Sequence, residues 1–102
     1  MKNEFKRSST SEREFTALIE YFAAIDDELA RRFMKAVDDT IDAIADFPEL
    51  GIPWESPRPR QRNLLWRNVR GFENYLVIYR RVQNGVLILR IVDGRRDLES
   101  IL

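Results

Sequence analysis

GFENYLVIYRRVQNGVLILRIVDGRRDLESIL, from Gly71 to Leu102, is the stretch that decides the fold. Tyr75 to Val82 and Val86 to Val92 are rich in β-branched, aromatic and aliphatic residues, and Gln83-Asn84-Gly85 lies between them. Asn-Gly tolerates positive φ at both residues, so the stretch reads as two antiparallel strands joined by a tight turn, followed by a short arginine-rich tail. Just upstream, Leu64 to Arg70 is a third strand candidate, with Gly71 turning it into the hairpin. Ile52 to Asn63 (IPWESPRPRQRN) carries three prolines and three arginines and reads as an extended loop.

Further upstream the period changes from two to three or four. Ser11-Glu12-Arg13-Glu14 matches a capping box at a helix start, and Phe15, Leu18, Ile19 and Phe22 follow as one apolar stripe. Asp26-Asp27 interrupts the helix and offers the N-cap of a second one, whose stripe is Ala30, Phe33, Val37, Ile41 and Ile44. Pro48 ends it, since the residue before proline is pushed out of the α region, and Gly51 is the turn residue beyond. The two helices form an antiparallel αα-hairpin. Asn3 to Ser9 is a weak first strand, with Phe5 its one large apolar residue. The pattern predicts an α+β fold in one domain over residues 1–102. An N-terminal strand and αα-hairpin precede a three-stranded antiparallel meander, with the helices packed on one face of a small antiparallel sheet.

Strict alternation puts Leu76, Ile78, Arg80 and Val82 on one face and Tyr75, Val77, Tyr79 and Arg81 on the other. In the last strand, Leu87, Leu89 and Ile91 oppose Val86, Ile88, Arg90 and Val92. Both faces are mostly apolar, whereas a sheet covered on one side normally turns polar on the other. The uncovered face then belongs to a partner protein, or loop 52–63 folds over it.

With 44% hydrophobic and 33% charged residues, 102 residues suit one soluble globular domain with a modest core. No apolar run approaches the roughly 18 residues of a membrane span, and MKNEFKRSS has no apolar segment of a signal peptide. Zero Cys excludes disulfides and thiolate metal sites, and zero His removes the usual neutral-pH acid/base. The composition predicts a cytoplasmic protein with no cofactor, no metal and no membrane contact. Asp38, Asp42 and Asp46 share a helix face, but about 12 Å separates the ends of that row, too far for one ion. Lys35–Asp39 and Glu28–Arg32 are i,i+4 pairs on the solvated helix surface.

Net charge is zero, yet unevenly spread. Residues 12–50 hold 11 acidic and 4 basic side chains, while residues 51–102 hold 10 basic, all Arg, and 5 acidic. Arginine forks suit carboxylates and phosphates, so the C-terminal half offers an interaction surface, unless those arginines pair with the acidic helices of the same molecule.

Several stretches, in this order, resemble the RelE/ParE superfamily of bacterial toxins over nearly the whole chain. They are the Phe47-Pro48-Glu49-Leu50-Gly51 helix exit, Arg67 before Gly71-Phe72, Asn74-Tyr75-Leu76-Val77-Ile78-Tyr79-Arg80, and Ile88-Leu89-Arg90-Ile91-Val92-Asp93-Gly94-Arg95-Arg96-Asp97. The resemblance implies the toxin of a type II toxin–antitoxin system, held in a hetero-oligomer by a tightly bound antitoxin that itself makes any DNA contact.

The RNA-cleaving RelE branch places an arginine at the start of the second-last strand, another after the last strand, and a tyrosine near the C-terminus. Here Tyr75 or Leu76 fills the first position, Arg96 the second and Leu102 the third. A guanidinium cannot move protons at neutral pH, so cleavage would need Glu73, Asp93 or Glu99 as base. The ParE branch is closer, in its long helix hairpin, NYL-x-x-Y strand and R-D-x-x-x-x-L tail. It implies a ParD-like antitoxin and inhibition of DNA gyrase by binding, without catalytic residues. Asp93 stands where many relatives carry histidine.

On that reading Arg90, Arg95 and Arg96 are the target-binding candidates, and Tyr21, Met34, Tyr75, Val77, Tyr79 and Ile88 the antitoxin-binding ones. Arg90 has an alternative, an internal ion pair with Asp97 or Glu73, because a charge in an apolar strand is costly unpaired. Arg58, Arg60 and Arg62 make a solvated basic loop able to meet phosphates, and Trp54 and Trp66 read as core or loop anchors.

Overall fold

The computed structural model describes residues 4–102. Strand β1 (Glu4–Arg7) leads into helices α1 (Ser9–Ile25) and α2 (Asp27–Asp46), and a 3-10 turn at Pro48–Leu50 follows. Next come the two-residue strand β2 (Ile52–Pro53), a second 3-10 turn (Pro59–Gln61), β3 (Leu65–Val69), β4 (Phe72–Val82), β5 (Gly85–Asp93) and the short helix α3 (Leu98–Ile101). The sheet order is β1-β5-β4-β3-β2. The α+β class and the hairpin-on-sheet layout are those the sequence predicts. The sheet gains two edge strands on the meander: β2 antiparallel to β3, and β1 parallel to β5, which makes it mixed. Of the predicted first strand, Asn3 lies outside the described residues.

Local chemistry explains the element ends. The N-cap of α1 is Ser8, not Ser11: Ser8 Oγ accepts from the Ser11 amide at 3.0 Å, and Ser11 Oγ donates back to the Ser8 carbonyl at 2.8 Å. The helix therefore starts three residues earlier than a capping box at Ser11 requires, and Glu14 is released for another contact. Asp26 alone separates α1 from α2 and caps the latter through the Leu29 amide at 3.2 Å. Lys35 pairs with Asp39 at 2.8 Å as expected, whereas Glu28 takes Arg31 at i+3 rather than Arg32. In the β4–β5 turn Asn84 holds φ +67°. Gly85 is needed for a different reason: a Cβ there would collide with the Glu4 carbonyl of β1.

The helices cover the face that carries Tyr75, Val77 and Tyr79. Phe15, Phe22, Phe33, Val37, Ile41 and Ile44 pack on it, joined from β5 by Val86, Ile88 and Ile91. Strict alternation fails in β5 because Ile78 pairs with Arg90 while Tyr79 pairs with Ile88, so Leu89 is an extra residue. This bulge carries Ile91 to the same side as Val86 and Ile88. At the far end of the core, Tyr79 donates to the Pro48 carbonyl at 2.6 Å, and Gly51 lies so close to the ring that any Cβ would overlap it.

The other apolar face is not left for a partner. Leu64, Leu76, Ile78 and Val92 form a second cluster, packed against Trp54, Trp66, Leu89, Leu98, Ile101 and Leu102. Loop 52–63 and the C-terminal tail thus fold over it, which settles the choice the two apolar faces leave open. Among the described residues, no helix is long and apolar enough to cross a membrane.

Candidate functional site

A cleft of about 350 Å³ opens where the end of β5 passes α1, lined by Glu14, Tyr21, Tyr75, Asp93, Arg95 and Arg96 among others. It forms because β5 ends at Asp93 and Gly94 turns the chain sharply, its amide donating to the Asn74 carbonyl at 2.6 Å. Asp93 then organises the turn. Its Oδ1 accepts from the Arg95 amide and from Arg95 Nε, both at 2.9 Å, and Oδ2 accepts from Nη2 at 2.7 Å. Arg95 is therefore held side-on by a bidentate pair, while Arg96 is exposed, its guanidinium without a hydrogen-bond or ion-pair partner among the described residues.

Charge and burial set the titration of this cleft. The Arg95 side-chain hydrogen bond is the main cause holding the Asp93 carboxyl below its usual range. Burial, reinforced by the Asp93 charge, pushes the Tyr75 phenol up. A depressed carboxyl contributes stability above its unfolded-state pKa, and loses it as pH falls through the folded value. Replacing Arg95 with glutamine is expected to raise the Asp93 titration back toward the ordinary range, read from carboxyl NMR shifts. An unchanged titration in Arg95→Gln contradicts the pairing.

Arg90 is placed differently from both of its sequence readings. It reaches neither Asp97 nor Glu73. Its Nε donates to both carboxylate oxygens of Glu14 at 3.0 Å, and its Nη2 to Oε2 at 2.7 Å. Its Nη1 donates to the Ile101 carbonyl, and Glu14 also takes the Ile91 amide at 3.0 Å. Both side chains are about four-fifths buried, 21% and 19% exposed. Arg90 is a staple joining α1, β5 and the C-terminal helix, so its guanidinium is not offered to a target.

The antitoxin candidates divide in the same way. Tyr21 and Met34 are 57% and 39% exposed on the helical hairpin. Val77, Tyr79 and Ile88 are fully buried beneath the helices and Tyr75 is 8% exposed, which corrects their reading as a contact surface. Alternation alone cannot say which of two apolar faces the helices take. The sequence reading also passed over a groove of about 630 Å³ between α2 and β3. Ala36, Ala43, Ile44 and Leu50 give it an apolar floor, and Arg32, Lys35, Arg67 and Arg70 line it as well. Beside it β3 is an open edge, because β2 pairs only with Leu65 and Trp66. The signal that could have found it is the apolar run Phe47, Leu50 and Ile52 after the helix exit, of which Leu50 lines the groove.

A long helical hairpin laid across a β1-β5-β4-β3-β2 sheet is the RelE/ParE class of α+β fold. A family profile described as "ParE toxin of type II toxin-antitoxin system, parDE" matches residues 5–98. The chain therefore belongs to the ParE family of type II toxins. It superposes on a solved structure described as the chromosomal ParDE TA system from P. aeruginosa with a TM-score of 0.72. That match covers 89% of this chain and 95% of the other at 13% identity, a likeness of fold. No curated protein sequence matches the chain.

Proposed function

We propose that the 102 residues act as one cytoplasmic toxin domain that inhibits DNA gyrase by binding, and that a ParD-like antitoxin neutralises it in a tight hetero-oligomer. The observation that carries the reading is the cleft at the end of β5: it presents cations and aromatic surface but, among the described residues, no group poised to move a proton. Of the three carboxylates available to a nuclease, Glu73 accepts from the Gly71 amide at 2.6 Å within its own turn. Asp93 is clamped by Arg95 at 2.7 Å and held in its charged, weakly basic form. Glu99 faces Arg58 at 3.9 Å. Leu102, at the position of the nuclease tyrosine, packs against the far-face cluster. A contact poison needs none of these as base.

Arg96 is the target contact on this reading, with Arg95 beside it as a charge fixed in orientation by Asp93. Met34, with the α2–β3 groove and its open strand edge, is the surface for the antitoxin, and Tyr21, which lines the Asp93 cleft, lies where the antitoxin and target surfaces meet. Exposed apolar anchors beside an unpaired edge suit an extended or helical segment that buries its own apolar side chains there. Sequence-specific DNA recognition then comes through the antitoxin.

The two surfaces separate by mutation. Arg96→Ala is expected to weaken gyrase inhibition by about tenfold or more, as truncation of a central interface arginine does, and to leave antitoxin affinity unchanged. Met34→Ala with Leu50→Ala is expected to do the reverse, whereas Tyr21→Ala, which also alters the Asp93 cleft, is expected to affect both. If Arg96→Ala inhibits gyrase as strongly as the parent protein, the target surface is elsewhere.

A further inference from the structure

The far face of the sheet holds a second cleft, of about 210 Å³, distinct from the one at Asp93. Its floor is apolar, made by Leu64, Ile78 and Leu89. Arg60, from the second 3-10 turn, and Arg80, from β4, line its sides. Gln61, Leu102 and the Glu14-paired Arg90 complete the wall.

Three unmet needs meet in this cleft. Arg80 is half-buried, yet its guanidinium has no carboxylate or other hydrogen-bond partner among the described residues; Arg60, exposed at the rim, has none either. Gln61 is 1% exposed. Its Oε1 accepts from Trp54 Nε1 at 3.2 Å, which fixes the amide, but its Nε2 is buried without an acceptor. The neighbouring acids are committed elsewhere: Glu14 clamps Arg90 at 2.7 Å, and Glu99 faces Arg58 at 3.9 Å. A charge taken partly out of water without a counter-ion is costly, and so is a buried donor without an acceptor. One group meets all three needs, an anion rich in oxygen.

We infer that this cleft is an anion site that takes the phosphate of an organic phosphate. Two guanidinium forks and a fixed amide donor suit a tetrahedral anion with several acceptor oxygens. The Leu64, Ile78 and Leu89 floor accepts the uncharged part of the ligand, a sugar or a base. A nucleic-acid backbone and a free nucleotide share this chemistry. The inference is independent of gyrase as the target, since it rests on unpartnered groups on the opposite side of the sheet from the helices.

The test is an NMR titration of the full-length, isotope-labelled chain at constant ionic strength. Three ligands are compared: inorganic phosphate, thymidine monophosphate, and a thymidine dinucleotide with one internal phosphodiester. Saturable shifts at the Gln61 side-chain amide and at Arg80 Nε–H are expected, with both organic phosphates binding more tightly than inorganic phosphate. Tighter binding of the diester than of the monoester assigns the site to a nucleic-acid backbone, and the reverse order to a free nucleotide.

Arg60→Gln with Arg80→Gln is expected to weaken binding by about tenfold or more, through the loss of charge-assisted bonds, while the circular dichroism stays that of the parent. Arg31→Gln, on the exposed surface of α2, leaves binding unchanged. No saturable shift at Gln61 with any of the three ligands overturns the inference. So does inorganic phosphate binding as tightly as the organic phosphates, or binding that the double variant retains.

Discussion

Phe33→Ala is expected to destabilise the toxin by about 3–5 kcal/mol, the range for removing a fully buried aromatic ring from a core that collapses only in part. Phe33 is 0% exposed and sits at the centre of the contact between helices and sheet. Its ring meets Phe22 at 4.6 Å on α1, Phe72 at 5.2 Å and Tyr75 at 5.4 Å at the start of β4, and Phe15 at 6.4 Å. The contacts to Phe72 and Tyr75 are edge-on, the favoured geometry for aromatic pairs. No other ring can move into the space, because Phe15 and Phe22 are fixed on α1, and Phe72 and Tyr75 on β4. For a domain of this size the loss corresponds to a fall in Tm of roughly 15–30 °C. Urea denaturation measures it directly. A change below about 1 kcal/mol, the usual cost of a surface change or less, would mean that the ring cluster does not bind hairpin to sheet.

Glu14→Ala is expected to cost about 3 kcal/mol, since it leaves a mostly buried guanidinium without its counter-charge and the Ile91 amide without an acceptor. The bridge spans 76 residues and ties α1 to β5, while Arg90 Nη1 holds the Ile101 carbonyl. The loss should therefore also loosen the tail that covers the second apolar cluster, seen as faster hydrogen exchange at Leu98–Leu102. Arg90→Ala should cost a similar amount, and the double variant much less than the sum, because the two residues act as a unit. Asp97→Ala and Glu73→Ala should each leave Arg90 and the tail undisturbed. If either of these, rather than Glu14→Ala, frees the tail, the ion pair is wrong.

The contrast between those variants shows what the sequence carries and what it does not. Features set by neighbours in the chain were legible: the turn at Asn84, the break at Asp26-Asp27 (which the structure narrows to Asp26), the helix exit at Pro48 and the two helical stripes. The Glu14–Arg90 pair was not, because nothing within a few residues of Arg90 points to an acid 76 positions away. Leu89 looks like any strand residue, yet the bulge there changes which side chains face the helices. Ser8-Ser9-Thr10-Ser11 offers several caps, and the one used depends on where β1 ends. The helix over the tail is four residues long, too short to show a period. Both faces of β4 are apolar because both are covered, one by the helices and one by the chain's own loop and tail. That double covering explains why Tyr75, Val77, Tyr79 and Ile88 read as interface and fold as core. At the candidate site, Arg95 and Arg96 were visible as charges. Their division into one guanidinium clamped by Asp93 and one without a partner among the described residues follows from the turn at Gly94, which only the structure reveals.

The central claim is that this ParE-family toxin acts by contact and not by cutting RNA. The most direct measurement takes purified, antitoxin-free protein and follows gyrase supercoiling and gyrase–DNA cleavage complexes in one reaction, with mRNA integrity on programmed ribosomes in a second. The account predicts arrested supercoiling with intact mRNA. Cut mRNA with unaffected gyrase would contradict it, and would require Glu73, Asp93 or Glu99 to leave its present partner and serve as the base.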